Sequence, residues 1–100
     1  MTGHELLRRE RDRILELLAQ RGIREVQVFG SLARGEDTGR SDIDLLVELP
    51  DDESLGGELL TVLGLSEELS ELLGTRVDVA TARVLRSSVR ERALAEAVPL

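Results

Sequence analysis

The chain has no cysteine and no lysine, a single histidine, a single aromatic residue and two prolines. Without cysteine it has no disulfide, no thiolate nucleophile and no cysteine-based zinc site. With Phe29 as the only aromatic, it offers no platform on which successive bases of a single strand could stack. All thirteen basic residues are arginine, and twenty acidic residues outweigh them to a net charge of -7. That balance argues against a protein that grips a phosphate backbone. The histidine, His4, reads as a solvated helix residue rather than a ligand or a base. No signal-peptide pattern and no membrane-length apolar run occur, so no membrane role is expected and the expected location is the cytoplasm.

What remains is aliphatic and charged, 41% hydrophobic against 33% charged, which is globular composition. One hundred residues suffice for one modest core, so residues 1–100 read as a single domain. Thr2 and Glu5 have capping-box spacing, followed by Leu7, Ile14, Leu17 and Leu18 near helical period. The run Arg8 to Arg13 reads as a solvated face, and Gly22 as a helix stop; the first helix is expected at about residues 4–20. Val26 to Phe29 reads as a strand ended by Gly30, Ser31 to Arg34 as the start of a short helix, and 36–40 as a polar loop. Asp42 to Leu49 is expected as a second strand, broken after Pro50. Val62, Leu65, Leu69, Leu72 and Leu73 mark a helix that begins after Gly56 and Gly57 and closes at Gly74. Arg76 to Ala80 reads as a third strand and Val84 to Ala97 as a last helix ended by Pro99. The order defines an α/β domain, a small mixed sheet of at least three strands with helices packed on one face.

Alternation along the second strand sets Ile43, Leu45, Val47 and Leu49 on one face and Asp42, Asp44, Leu46 and Glu48 on the other. On the third strand Val77 and Val79 oppose Asp78. If the two strands are neighbours, Asp42, Asp44 and Asp78 converge. Three converging carboxylates repel unless one is protonated or a cation sits among them. An all-oxygen set suits Mg²⁺, which shares its shell with water and substrate phosphates, and the Asp42/Asp44 pair is placed to bridge two ions. Upstream, a strand followed by Gly30-Ser31 and a turn exposes backbone amides to an anion, with the Ser31 hydroxyl as a further donor and Arg34 as added charge or packing. The pattern is neither a Walker loop nor a dinucleotide fingerprint.

Taken together, Gly30-Ser31, then Ser41-Asp42-Ile43-Asp44, then Val77-Asp78-Val79 resemble the DNA polymerase beta-like nucleotidyltransferase superfamily. Within it they are similar to the minimal nucleotidyltransferases, the antitoxin partners of HEPN-domain toxins, over nearly the whole chain. The resemblance implies a polymerase beta-like nucleotidyltransferase fold. It implies that Gly30 and Ser31 hold the nucleotide phosphates, with Arg34 in support. Asp42 and Asp44 would bind the metals, and Asp78 would complete the triad and help activate the attacking hydroxyl. The implied reaction is transfer of AMP from ATP, with Mg²⁺, to a tyrosine of the toxin. The chain has no room for the helical domain with which larger relatives hold their second substrate, so a partner protein would supply it. An exposed aliphatic patch on the first or last helix is the expected docking surface. Two other readings stand beside this one: an antitoxin that neutralises by contact without catalysis, and a nucleotidyltransferase with a small-molecule or RNA acceptor. Charge disfavours the RNA acceptor.

Overall fold

The computed structural model describes residues 2–36, 42–50 and 53–100. The described residues form three helices and four strands, α1 (Gly3–Ala19), β1 (Val26–Phe29), β2 (Ile43–Val47), α2 (Leu55–Leu73), β3 (Val77–Ala80), α3 (Ser87–Glu96) and β4 (Val98–Pro99). The strands lie in the order β3-β2-β1-β4, with β2 and β3 parallel and the other pairs antiparallel. Ser41, part of the motif, and Asp51 and Asp52, in the expected break after β2, lie outside the described residues.

α1 starts where Thr2 Oγ1 accepts from the Glu5 amide at 3.1 Å. It buries Leu7, Ile14 and Leu18. It also buries Glu10, which the expectation of a solvated charged face had wrong: Arg9 Nε and Arg13 Nη1 donate to its carboxylate at 3.2 and 3.0 Å, so its charge is met by its own neighbours. Gly22, at φ +77°, turns the chain out of the helix. α2 is capped by Ser54, whose Oγ accepts from the Gly57 amide, so the two glycines lie inside its first turn rather than before it. Gly74, at φ +68°, ends it.

Val28, Ile43, Leu45, Val47, Val77 and Val79 face α1 and α2 in the main core. The opposite face is not bare. Phe29, Leu46 and Ala80 pack there against Ala93 of α3. The expected mixed sheet is present, but its helices occupy both faces: α1 and α2 one, α3 the other. Burial of Phe29 and Leu46 on the carboxylate-bearing face demands that cover, and α3 provides it.

β3 is an edge strand, and its outward amides are met by α2. Val77 N–H donates to Ser70 Oγ at 2.9 Å and Val79 N–H to Ser66 Oγ at 2.8 Å. These bonds satisfy backbone donors that would otherwise be open to another chain. They also fix the strand that carries Asp78. The large apolar side chains exposed to solvent lie on α2 (Leu55, Leu59, Leu60, Leu63) and at the C-terminal end (Val89, Leu94, Val98); α1 contributes none among the described residues.

Candidate active site

The site is built at the N-terminal end of β2. The parallel register sets Asp44 directly opposite Asp78, and the antiparallel register sets Phe29 opposite Asp44 on the other side. Gly30 therefore leaves the sheet beside the central aspartate. Its φ is +75°, and a Cβ there would collide with Asp44 Oδ2, so both conformation and space require glycine. The chain then makes a succession of turns over residues 30–35 instead of the expected short helix. Arg34 N–H donates to Gly30 O at 3.1 Å and Glu36 N–H to Ser31 O at 2.9 Å. Leu32, 1% exposed, pins this turn into the core. Its work is to hold the Gly30-Ser31 backbone in place.

Asp42 and Asp78 are roughly half exposed, and Asp44 lies deeper between them. Burial, reinforced by the charges of Asp78 and Asp42, pushes the Asp44 carboxyl up from 3.8 to about 6, against the opposing pull of Arg76 and Arg34. Arg76 stands between the flanking carboxylates, its Nε 3.5 Å from Asp78 Oδ2 and 3.8 Å from Asp42 Oδ2. Arg76 was expected only as the first residue of the third strand. The signal was present: it lies two residues before Asp78, hence in the same phase and on the same face.

Among the described residues, no three histidine or acidic side chains close into a ready metal cage. The arrangement nevertheless fits a hard divalent cation. Its donors are all oxygen, its central carboxylate is raised by burial and then by like charge, and an arginine sits where positive charge is needed. Such a shell is open and completed by substrate oxygens and water, as Mg²⁺ sites commonly are.

Asp44 and Asp78, but not Asp42, border a cleft of about 360 Å³ that also takes in Phe29, Gly30, Arg34, Arg92 and Glu96. Arg34 reaches this wall but is engaged: its Nη1 donates to Glu96 at 3.0 Å and its Nε to Glu36 at 3.2 Å. The hydrogen bond to Glu96, then that to Glu36, raises its pKa further and keeps it charged. In this arrangement Arg34 ties the Gly30-Ser31 turn to the end of α3.

Asp42 and Asp44 at the start of β2, a third aspartate in register on β3 and a glycine turn beside them thus lie together at one end of a mixed sheet. The chain belongs to the nucleotidyltransferase domain family, which it matches over residues 11–100. It is 41% identical over 83 residues to the protein adenylyltransferase MntA of Thermococcus cleftensis, covering 83% of this chain and 80% of that protein. A solved structure provisionally named a minimal nucleotidyltransferase superposes with a TM-score of 0.74 at 44% identity, over 96% of this chain and 94% of that one. The fold is also shared with a Shewanella oneidensis complex of a tri-AMPylated HEPN toxin and its MNT antitoxin (TM-score 0.63, 19% identity, 88% and 66% coverage). This chain is an enzyme of the nucleotidyltransferase class.

Proposed function

We propose that this protein is a metal-dependent protein adenylyltransferase that moves AMP from ATP onto a tyrosine of a partner HEPN toxin and so acts as its antitoxin. The observation that carries the reading is the register of Asp44 with Asp78 beside a glycine that admits no Cβ. The names of the relatives support the choice of a protein acceptor: one is a protein adenylyltransferase, and a fold neighbour is an antitoxin bound to an AMPylated toxin.

In this reading the Gly30 backbone lets the phosphates approach, and the Ser31 hydroxyl donates to a phosphate oxygen. Asp42 and Asp44 would hold Mg²⁺, with Asp78 completing the set, and the metal would supply positive charge against the phosphates and the leaving pyrophosphate. Asp78 accepts the proton of the tyrosine hydroxyl. The tyrosine oxygen attacks the α-phosphorus, the bond to the bridging oxygen breaks, and pyrophosphate leaves. Arg76 is within reach of both outer carboxylates and balances part of their charge.

A protein that neutralised by contact alone would have no use for Asp44, whose burial among two other carboxylates is unfavourable by itself. The reading is tested by incubating the protein with labelled ATP, Mg²⁺ and the product of any adjacent gene that encodes a small helical protein, then locating the label. Label on a toxin tyrosine, lost with Asp42→Asn/Asp44→Asn, supports it. Equal neutralisation by wild type and double mutant with no label transferred establishes binding alone, and label on RNA or a small molecule moves the acceptor.

A further inference from the structure

α3 divides the second face of the sheet in two. On one side lies the cleft with the aspartates. On the other, toward the C-terminal end of β2, a second cavity of about 480 Å³ opens over Gln27 and Leu46, walled by Glu48, Glu58, Arg83 and Leu94. Nothing in the transfer chemistry uses it. Its inner wall carries Glu58, in the first turn of α2, which is 9% exposed and whose Oε2 is buried without a hydrogen-bond partner among the described residues. A buried carboxylate oxygen that accepts nothing is costly, and such groups normally have a donor. The neighbouring Arg83 does not supply it: its Nη1 donates to the Glu53 carbonyl at 2.7 Å.

A metal ion is a poor candidate, because the acids come from separate segments, Glu25 before β1, Glu48 after β2, and Glu53 and Glu58 at the start of α2. The acids stand on separate walls of a cavity much larger than an ion. A larger cation with several N–H donors and an apolar stem matches that spacing, its head against Glu58 and its stem along Leu94 and Leu46. We propose that this cavity is a binding site for an organic cation, a guanidinium or primary ammonium group, anchored by Glu58 with Glu48 at the mouth. Such a group is carried either by an arginine or lysine of a partner protein or by a free polyamine.

Agmatine, which has both head groups and no carboxylate, is the probe. It is titrated into the full ¹⁵N-labelled chain at constant ionic strength, without nucleotide. The expected result is a saturable shift of the amides of Leu46, Glu48, Ala82 and Leu94. Glu58→Gln should weaken binding about tenfold or more, whereas Asp78→Asn should leave it unchanged. If Glu58→Gln does not fold, Glu48→Gln takes its place and should weaken binding several-fold. No saturable shift, or equal affinity in wild type and a folded Glu58 or Glu48 variant, overturns the site. The source is then read from the complex with the partner toxin. About tenfold weaker assembly with Glu58→Gln assigns the cation to a partner side chain, and unchanged assembly assigns it to a free polyamine. Because agmatine binding needs no AMP transfer, failure of this site and failure of the adenylyltransferase reading are separately visible.

Discussion

Asp44 sits where its surroundings disfavour its charge, and that makes it the most informative single residue. Its carboxyl is raised to about 6 from 3.8, first by burial and then by Asp78 and Asp42. A carboxyl raised in the folded state gives stability that is fully present below its ordinary value and is lost as pH climbs through the folded value. The metal-free protein should therefore lose stability between about pH 4 and pH 6 through this group. Asp44→Asn should raise the melting temperature at pH 8 and leave it little changed at pH 4, as followed by circular dichroism in EDTA. Gly30→Ala should do the reverse of a harmless change. It forces a Cβ onto Asp44 at positive φ, and should cost about 1 kcal/mol or more along with ATP affinity, checked by chemical denaturation and calorimetric titration. Arg76→Ala removes a cation that competes with the metal for Asp42 and Asp78. Mn²⁺ binding at pH 8, followed by electron paramagnetic resonance, should tighten several-fold; weaker binding would make Arg76 an orienting residue instead. The three aspartates were legible because a period of two is readable wherever aliphatics alternate with acids. Arg76 obeyed the same phase but was hidden by habit, since arginine on an exposed strand usually means solvent. The deep position of Glu10 was illegible for a different reason: a glutamate is buried only when its partners are placed to meet it, and Arg9 and Arg13 did so from within a run that looks solvated.

Elements carry their own lessons. The serines of α2 occupy helical positions, Ser66 and Ser70, that a periodicity count passes over as merely polar. Their hydroxyls accept from Val79 and Val77 of β3 and hold that edge strand to the helix. Ser70→Ala leaves a strand amide unpaired and should cost about 1–2 kcal/mol. In a domain of this size that is a drop of several degrees, about 4–8 °C per kcal/mol, in a thermal melt. The loss should fall on Asp78's strand first, visible as faster amide exchange at Val77 and Val79. β4 was not foreseen, because two residues with Pro99 look like a stop rather than a strand. Pairing with β1 is possible since β4 is at the sheet edge, where a proline's missing amide proton does least harm. The last helix is shorter than its sequence stripe because residues 82–85 form a loop that Arg90 gathers, donating to the carbonyls of Ala82, Arg83 and Leu85. The 30–35 segment failed as a helix for a related reason: Gly30 and Gly35 both take positive φ and keep it a string of turns.

At the scale of the whole molecule, the order of elements and the sheet that carries the site were readable, but the position of α3 was not. Alternation tells which residues share a face; it does not tell which face a short, weakly amphipathic helix will cover. Placing α3 over Phe29, Leu46 and Ala80 makes one side of it the wall of the aspartate cleft and the other the wall of a separate cavity. The expected exposed aliphatic patch is absent from α1 among the described residues; α3 exposes Val89 and Leu94, and α2, which was not expected to, exposes Leu55, Leu59, Leu60 and Leu63. A nucleotide held by the cleft stabilises only the folded chain, so a nonhydrolysable ATP analogue with Mg²⁺ at about 100 times its dissociation constant should add about 2.7 kcal/mol, and Asp42→Asn/Asp44→Asn should abolish that gain.

The central claim is that Asp42, Asp44 and Asp78 act together in adenylyl transfer to a protein tyrosine. The most direct test is intact-mass spectrometry of the toxin after incubation with ATP, Mg²⁺ and either the wild-type protein or Asp78→Asn. Wild type should add AMP to the toxin, and Asp78→Asn, folded and still binding ATP, should slow that addition by at least about a hundredfold. Equal addition by Asp78→Asn, or no addition by wild type while the toxin is neutralised, would contradict the account.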